Sequence, residues 1–372
     1  MLPTQLAPFQ CCASCTLVAS THCNIRLSEV SVSAKNCQLC DLLLRKVKPY
    51  CDDDELNVQI VRERSWLKVG SKGPRIIRLC SDSGQFTCAR QSHCLLYVCT
   101  TEGSVDTGQD IQISFPVLPE AENPARFALL QAWLHWCDKS KSHSCIKHDA
   151  ESKTALPTRL LCVGNLDDPD YDPDVLRLDL ATQINGRKYI ALSHCWGKLP
   201  VEDKKQFCTT RENIDRRQEG FSISELPKTF QDAIRVTREL RIQYLWIDSL
   251  CIIQYGDDNE DWNREFGRME EVFASAYCTI AATSAVDSKA GFLKRNVSSE
   301  YAYVQDASGQ RFYICTDIDD FDNDVEKAQL NTRAWVMQER ILSRRTIHFS
   351  SNQIYFECGQ GIYCENLTRL ER

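Results

Sequence analysis

Between residues 189 and 282 the sequence alternates short apolar runs with longer amphipathic stretches. The runs at 189–192, 244–247 and 278–282 carry mainly apolar side chains on both faces, which is typical of strands buried in a parallel sheet. The stretch after Pro227 repeats apolar residues at helical spacing, and the next one predicts a single helix with a buried face made of Trp262, Phe266, Met269 and Phe273. Because a strand, a helix and a second strand favour a parallel crossover, we expect an α/β fold with a partly parallel sheet flanked by helices.

Polar and aromatic residues follow each of the three predicted strands. In a parallel sheet the carboxyl ends of the strands meet at one edge, and ligands bind outside that edge. Gly197 supplies the backbone freedom for the chain to turn away from the first strand. The residues that we expect at this edge are Ser193, His194, Cys195, Trp196, Asp248, Ser249, Thr283 and Ser284.

A carboxylate interrupts the apolar face of a helix that is predicted farther along the chain. Asn331 and Thr332 are typical helix caps, and the helix after them carries Trp335 and Glu339. Glu339 lies four residues after Trp335 and three before Leu342, so all three share the face that the apolar pair would bury. Glu339 therefore either enters the site at the sheet edge or forms an ion pair with one of Arg333, Arg340, Arg344 or Arg345.

Composition excludes several broad classes of protein. The chain has 372 residues, of which 43% are hydrophobic, which is enough to build cores for two ordinary domains. The net charge of −7 predicts no general attraction to nucleic acid or to anionic membranes. Residues 1–20 lack the basic start and apolar centre of a secretory signal, and no apolar run approaches the roughly 18 residues of a membrane span. We therefore predict a cytoplasmic protein without a membrane span.

The chain has 21 cysteines, and four of them near the amino terminus form two close pairs. Cys12 and Cys15 are followed, after 21 residues, by Cys37 and Cys40, a spacing close to that of two zinc knuckles. The pattern makes a structural zinc ion a candidate cofactor. In the alternative interpretation, Cys37 and Cys40 are thiols buried at the start of an apolar helix.

Turn residues and charges divide the sequence into three regions. Residues 1–165 predict a Cys-rich α+β region, with short strands between 57 and 116 and a helix that opens at Pro124. Residues 166–185 predict an acidic, proline-containing linker and one strand of a hairpin, whose other strand is the run at 189–192 because Asn185 and Gly186 favour a hairpin turn. Residues 186–372 predict the α/β domain, with a further hairpin formed by 301–304 and 311–315.

Several short blocks between residues 192 and 343 together resemble the heterokaryon-incompatibility (HET) domain of fungi. The main ones are Leu-Ser-His-Cys-Trp-Gly at 192–197, Leu-Pro-Lys-Thr-Phe at 226–230, Tyr-Leu-Trp-Ile-Asp-Ser-Leu-Cys at 244–251 and Arg-Ala-Trp-Val-Met-Gln-Glu-Arg at 333–340. The resemblance implies an effector of fungal non-self recognition and regulated cell death. Its implied partners are a second copy of the chain or another incompatibility protein.

HET domains are similar in layout to Toll/interleukin-receptor (TIR) domains, some of which cleave NAD. Those enzymes carry a glutamate four residues after a tryptophan, a spacing that Trp335 and Glu339 reproduce, although Val336 stands where a TIR cysteine often lies. This remoter resemblance implies NAD as a candidate substrate and a TIR-like layout. Together with the residues expected at the sheet edge, it makes Glu339, Asp248 and Ser193 the candidate catalytic residues. The candidate substrate-binding residues are His194, Cys195, Trp196, Ser249, Ser284 and Trp335.

Two other functions are compatible with the same residues. A thiol hydrolase would use Cys195 or Cys251 as its nucleophile and His194 as its base, with Asp248 orienting the histidine. Adjacent residues of a strand point to opposite faces, so His194 and Cys195 meet only if the backbone turns between them. A non-enzymatic module would instead signal by self-association or by binding a partner.

Overall fold

The computed structural model describes residues 9–10, 22–47, 57–64, 75–81, 95–100, 112–113, 124–139, 156–164, 171–184, 188–295, 301–305, 311–316, 320–366 and 369–370. The chain divides into two compact units. The amino-terminal unit comprises residues 1–119, 297–320 and 363–372, and the α/β unit comprises residues 120–296 and 321–362.

Short strands make up much of the described chain. In chain order they are β1 (Phe9–Gln10), β2 (His22–Arg26), β3 (Asn57–Arg64), β4 (Arg75–Ser81), β5 (Leu95–Thr100), β6 (Gln112–Ile113), β7 (Arg159–Cys162), β8 (Val175–Leu180), β9 (Ile190–Ser193), β10 (Phe221–Ser222), β11 (Tyr244–Trp246), β12 (Cys278–Ala281), β13 (Tyr301–Gln305), β14 (Arg311–Thr316), β15 (Arg345–Phe349), β16 (Ile354–Cys358), β17 (Gly361–Cys364) and β18 (Arg369–Leu370).

Helices occur in both units. In chain order they are α1 (Leu27–Ser33), α2 (Gln38–Val47), α3 (Pro124–Lys139), α4 (Val201–Phe207), α5 (Ile214–Glu219), α6 (Lys228–Glu239), α7 (Asp248–Cys251), α8 (Glu260–Phe266), α9 (Met269–Ser275) and α10 (Ala334–Leu342). Short 3-10 turns occupy Ile223–Glu225 and Gln329–Thr332, and a π-helical turn occupies Asp322–Glu326.

The amino-terminal unit is built on a sheet in the order β1-β13-β14-β5-β4-β3-β2, with β6 beside β5. β13 and β14 pair antiparallel with Tyr303 opposite Tyr313, so the hairpin predicted there is confirmed. The other strands of this sheet all come from residues 9–113, and the segment 301–316 joins them from far along the chain. The buried residues around the start of α2 are Cys37, Leu39, Cys40, Leu42 and Leu43.

The sheet of the α/β unit runs in the order β10-β8-β7-β11-β9-β12-β15-β16. Its central strands β11, β9, β12 and β15 are parallel, and the flanking strands pair antiparallel. Ile190 lies opposite Leu245 on one side and Cys278 on the other, which confirms the predicted parallel pairing of the three apolar runs. All side chains of β9 and β12 are buried, as expected for central strands.

Helices flank this mixed sheet, so the predicted α/β fold with a partly parallel sheet is confirmed. α6 buries Phe230, Ala233 and Ile234, which the sequence predicted on one face. α3 packs on the end of the same sheet, where Trp133 stacks on Phe356 with ring centroids 5.6 Å apart. These apolar contacts place the core of the unit between the sheet and its helices.

The predicted hairpin between 175–180 and 189–192 is wrong. β8 pairs with β7 and β10, whereas β9 lies between β11 and β12. The burial patterns explain the difference, since Val175 and Arg177 of β8 are exposed while every residue of β9 is buried. A strand that is buried on both faces is stabilised by central neighbours, whereas an alternating strand suits the outer part of a sheet. Asn185 and Gly186 lie outside the described residues.

The prediction of one helix with an apolar stripe between 262 and 273 is also wrong. The segment forms two helices, α8 and α9, and Trp262 is 39% exposed. The buried residues of α8 are instead Asp261 and Glu265. The buried guanidinium of Arg159 pairs with Asp261, and Thr158 donates its backbone N–H and its hydroxyl to Glu265. Because these partners satisfy both carboxylates, the helix buries its charged face.

Within the ranges that the structure describes, no helix is both long enough and apolar enough to cross a lipid bilayer.

Candidate functional site

The carboxyl ends of β9, β11 and β12 lie at one edge of the sheet. Parallel pairing puts Ser193 opposite Ala281 of β12 and puts Trp246 opposite Ala191. α7 begins at Asp248 directly after β11, and Ser284 follows β12. The structure therefore places the polar residues after the three strands at a common edge, as the sequence predicted.

A hydrogen bond joins this edge to α10. The hydroxyl of Ser193 donates to Oε2 of Glu339 over 2.5 Å. Burial raises the pKa of Glu339 to about 7, the hydrogen bond from Ser193 and the charge of Arg333 oppose that rise, and the charge of Asp248 adds to it. A carboxyl group with a pKa near neutrality can change its charge in the physiological pH range.

The helix that carries Glu339 does not have the predicted cap or the predicted inward face. Arg333 occupies its N-cap position, and Gln329–Thr332 forms a separate 3-10 turn, so the expected cap by Asn331 and Thr332 is wrong. Val336 is buried, but Trp335 is 52% exposed and packs edge-on against Phe266 with centroids 5.3 Å apart. Glu339 thus points inward beside Val336, and Trp335 lies on the more exposed side of the helix.

Asp248 is held in place by two hydrogen bonds. Its Oδ1 accepts the backbone N–H of Ser249 over 2.6 Å, and its Oδ2 accepts the indole N–H of Trp196 over 2.8 Å. The second bond fixes the ring of Trp196, which stacks against His194 with centroids 6.4 Å apart. The sequence predicted these residues at the edge but gave no indication that the carboxylate would hold the indole.

The predicted alternative of an ion pair for Glu339 does not describe its contacts. Arg340 is engaged with Glu357 and Glu326, and within the described ranges no arginine or lysine forms a salt bridge with Glu339. Arg333 instead donates from Nη1 to the carbonyl oxygen of His194 over 2.5 Å. Sequence reasoning did not find this backbone contact, because a hydrogen bond to a main-chain carbonyl has no signature in residue types.

A comparison with family sequence models identifies the region that contains these contacts. The model described as Heterokaryon incompatibility protein (HET) matches residues 189–339. This region is a HET domain. The HET match begins one residue before β9 and ends at Glu339, so it includes both partners of the Ser193–Glu339 bond. No curated protein and no solved structure gave a significant match.

His194 lies in an apolar environment within the HET domain. Its ring contacts the edge of Phe230 with centroids 5.0 Å apart, and its Nε2 is buried without a hydrogen-bond partner among the described residues. Burial lowers the pKa of His194 more than the charge of Asp248 raises it. The imidazole is therefore neutral near pH 7.

The two candidate nucleophilic cysteines of the HET domain are buried thiols. Cys195 packs in a cluster with Ala281, Leu330 and Val336, and burial raises its pKa. Burial raises the pKa of Cys251 to about 12. Since the thiolate is the nucleophile, this geometry does not favour thiol catalysis.

The hydroxyls of Ser249 and Ser284 are buried at the same edge of the HET domain. Neither oxygen has a hydrogen-bond partner within the described ranges, although the backbone N–H of Ser284 donates to the carbonyl oxygen of Phe349 over 2.9 Å. Buried hydroxyls normally find a partner, so these two, like Nε2 of His194, are groups that a bound polar molecule or water can satisfy.

The predicted zinc ligands lie outside the HET domain, and two of them, Cys12 and Cys15, lie outside the described residues. Cys37 and Cys40 are buried around the start of α2. No cluster of three or more potential ligands occurs in the part of the chain that the structure describes. The zinc site stays a prediction.

Proposed function

We propose that this HET-domain protein is an effector of fungal non-self recognition and regulated cell death, and that its HET domain acts by cleaving NAD. The observation that carries the proposal is the partly buried hydrogen bond between Ser193 and Glu339 at the carboxyl edge of the parallel strands. Glu339 is the residue that we assign to transition-state stabilisation, and Ser193 orients it. Trp196, fixed by Asp248, supports the proposal by offering an immobilised aromatic ring at the same edge of the sheet.

The proposed reaction breaks the bond between the nicotinamide nitrogen and the anomeric carbon of its ribose. Nicotinamide leaves as a neutral molecule with the bonding electron pair, water adds its oxygen to the anomeric carbon, and one proton is released. The transition state carries positive charge on the ribosyl group, which an ionised carboxylate stabilises. With a pKa of about 7, Glu339 is partly ionised at neutral pH, and a buried position strengthens its effect on that charge.

Consumption of NAD by purified protein tests the proposal. Glu339→Gln keeps the shape of the side chain and removes its charge, and we expect a loss of about a hundredfold to a thousandfold in rate. Glu270→Gln, on the exposed surface of α9, is the matched control and should retain the wild-type rate. Cys195→Ser should also retain most of the activity.

Two results contradict the proposal. If folded Glu339→Gln matched the wild type while Cys195→Ser was inactive, thiol chemistry would replace the glutamate. If the wild type consumed no NAD in the assembled state that kills cells, an interaction module would replace the enzyme.

One observation favours the interaction module as a second candidate function. Met337 is 66% exposed and Ile341 is 69% exposed, and the two lie one turn apart on α10. A second copy of the chain, or another incompatibility protein, would bury these side chains. Met337→Lys with Ile341→Lys should then abolish both assembly, measured by sedimentation, and cell death.

A further inference from the structure

Arg333 connects the helix that carries Glu339 to the strand that carries Ser193. It occupies the N-cap position of α10, and its Nη1 donates to the carbonyl oxygen of His194 over 2.5 Å. His194 directly follows Ser193, whose hydroxyl donates to Glu339. The end of β9 and the first turns of α10 are therefore joined at two points, one through Arg333 and one through Glu339.

Two contacts hold a helix more precisely than one. Trp335 and Arg340 hold α10 to other parts of the α/β unit, and the contact from Arg333 adds a hold at the end of β9, where the carboxylate meets the hydroxyl. The contact from Arg333 is made to the backbone carbonyl of His194, the buried residue that follows β9, and it is present without a bound substrate. Rigid placement of a charged group before binding is what transition-state stabilisation requires.

Arg333 also acts on the charge of Glu339. Burial and the negative charge of Asp248 raise the pKa of Glu339, whereas the hydrogen bond from Ser193 and the positive charge of Arg333 lower it. Arg340 adjoins Glu339 in sequence, but its guanidinium is engaged with Glu357 and Glu326. The same arginine that fixes the helix is thus placed to favour the ionised carboxylate.

We propose that Arg333 is a positioning residue of the NAD-cleaving site, which locks α10 to the end of β9 and holds the ionised carboxylate of Glu339 against Ser193. The inference rests on the proposed function for its consequence in catalysis, but not for the contact itself. Lysine at this position keeps the positive charge and loses the planar guanidinium that spans from the helix to the carbonyl. Arg333→Gln removes both.

The first measurement needs no enzymatic activity. For the wild type, for Arg333→Gln and for Arg333→Lys, the free energy of unfolding is compared with that of the same protein carrying Glu339→Gln, from pH 4 to pH 9. This difference grows from the pKa of Glu339 in the unfolded chain and levels off at its pKa in the folded protein, and the pH of that levelling off is taken as the titration midpoint. We expect the midpoint to rise by about one pH unit in Arg333→Gln and by less in Arg333→Lys. Lys327→Gln, which removes an exposed positive charge, is the control and should leave the midpoint unchanged.

The second measurement is the pH profile of NAD consumption. A rise of about one unit lowers the ionised fraction of Glu339 at pH 7 about fivefold, so kcat of Arg333→Gln should fall at least that much at pH 7 and recover in part at pH 8.5, with KM little changed. A titration midpoint equal to that of Lys327→Gln overturns the proposal, as does a loss of stability and activity that is equal at every pH. If the wild type consumes no NAD, the titration still decides the role of Arg333, and the proposed function fails separately.

Discussion

Ser193 and Glu339 lie 146 residues apart in the chain and are joined by a 2.5 Å hydrogen bond from the serine hydroxyl to the carboxylate. Ser193 is the last residue of the central strand β9, and Glu339 lies on α10. Between the two in the chain, residues 297–320 belong to the amino-terminal unit. The bond places a titratable carboxyl group where three parallel strands end. Substitution of Glu339 and substitution of Ser193 have different expected effects on stability and on the pH dependence of activity.

Glu339→Gln should stabilise the protein at alkaline pH. Because the pKa of Glu339 is raised from 4.5 to about 7, the folded state favours the protonated form, and the wild type loses stability as the pH rises through this interval. The glutamine variant does not ionise, so we expect it to be more stable than the wild type by roughly 3 kcal/mol at pH 8 and nearly equal at pH 4. Urea unfolding at both pH values measures the difference. A difference that is independent of pH would show that Glu339 titrates normally.

Ser193→Ala should shift the pH dependence of activity to higher pH. The hydroxyl of Ser193 hydrogen-bonds the carboxylate and lowers its pKa, so its loss raises the pKa of Glu339 above about 7. We expect the rate of NAD consumption at pH 7 to fall about tenfold, with partial recovery at pH 8.5. Ser284→Ala, which removes a buried hydroxyl without a partner among the described residues, serves as the control for the titration of Glu339. An equal shift in both variants would contradict the specific role of Ser193.

Gly197→Ala should destabilise the α/β unit and displace Trp196. Gly197 has a φ of +76°, and a Cβ atom at this position would lie 2.3 Å from Cβ of Asp287. We expect a loss of about 2 kcal/mol or more in the free energy of unfolding, together with a change in tryptophan fluorescence. Gly267→Ala is the matched control, because nothing lies within 4 Å of its added Cβ. The control should be neutral or stabilising by up to about 1 kcal/mol.

Asp261→Asn should destabilise the protein strongly, because it leaves the buried guanidinium of Arg159 without its charged partner. Breaking one side of a buried ion pair typically costs about 3 kcal/mol or more. Arg264 pairs with the same carboxylate but is 57% exposed, so Arg264→Gln should cost less than about 1 kcal/mol. Chemical denaturation compares the two variants. Equal effects would mean that the exposed arginine and not the buried one holds α8.

We propose that Cys12, Cys15, Cys37 and Cys40 bind one zinc ion. Four thiolates hold a structural zinc ion in a closed tetrahedral site, with bonds of about 2.3 Å. Protein purified without added zinc should therefore contain about one ion per chain by elemental analysis. Cys12→Ser should lower this content, whereas Cys358→Ser should not. If the folded wild-type protein contained no metal, the zinc prediction would be wrong, and Cys37 and Cys40 would be buried thiols.

The parts of the fold that sequence predicted are those in which burial alone decides the structure. The runs around Ile190, Leu245 and Cys278 are apolar on both faces, and a central parallel strand is the element that buries both faces. Their order then fixed the common edge at which Ser193 and Asp248 lie. The inward direction of Glu339 was predicted from its spacing, although Trp335, which was expected on the same face, is exposed.

The remaining features depend on partners that are distant in sequence. Asp261 is buried because Arg159 lies opposite it, and no local periodicity reveals that pairing. The same holds for the bond between Trp196 and Asp248 and for the contact of Arg333 with a backbone carbonyl. Turn chemistry was also insufficient, since Asn185 and Gly186 predicted a hairpin that the sheet order excludes. Local sequence patterns thus predicted helices and strands, whereas hydrogen bonds between residues distant in sequence fix the side chains of the site.

The hairpin of β13 and β14 interrupts the HET-matched region yet belongs to the sheet of the amino-terminal unit. During synthesis on a ribosome, the first six strands of that sheet are translated early, but the sheet is incomplete until residues 301–316 follow. By then most of the α/β unit has already been translated. The α/β unit in turn lacks α10, and with it Glu339, until after the hairpin has emerged. Each unit is therefore completed only after part of the other has been translated, so the nascent chain cannot form the Ser193–Glu339 pair until the hairpin of the amino-terminal unit has also been made.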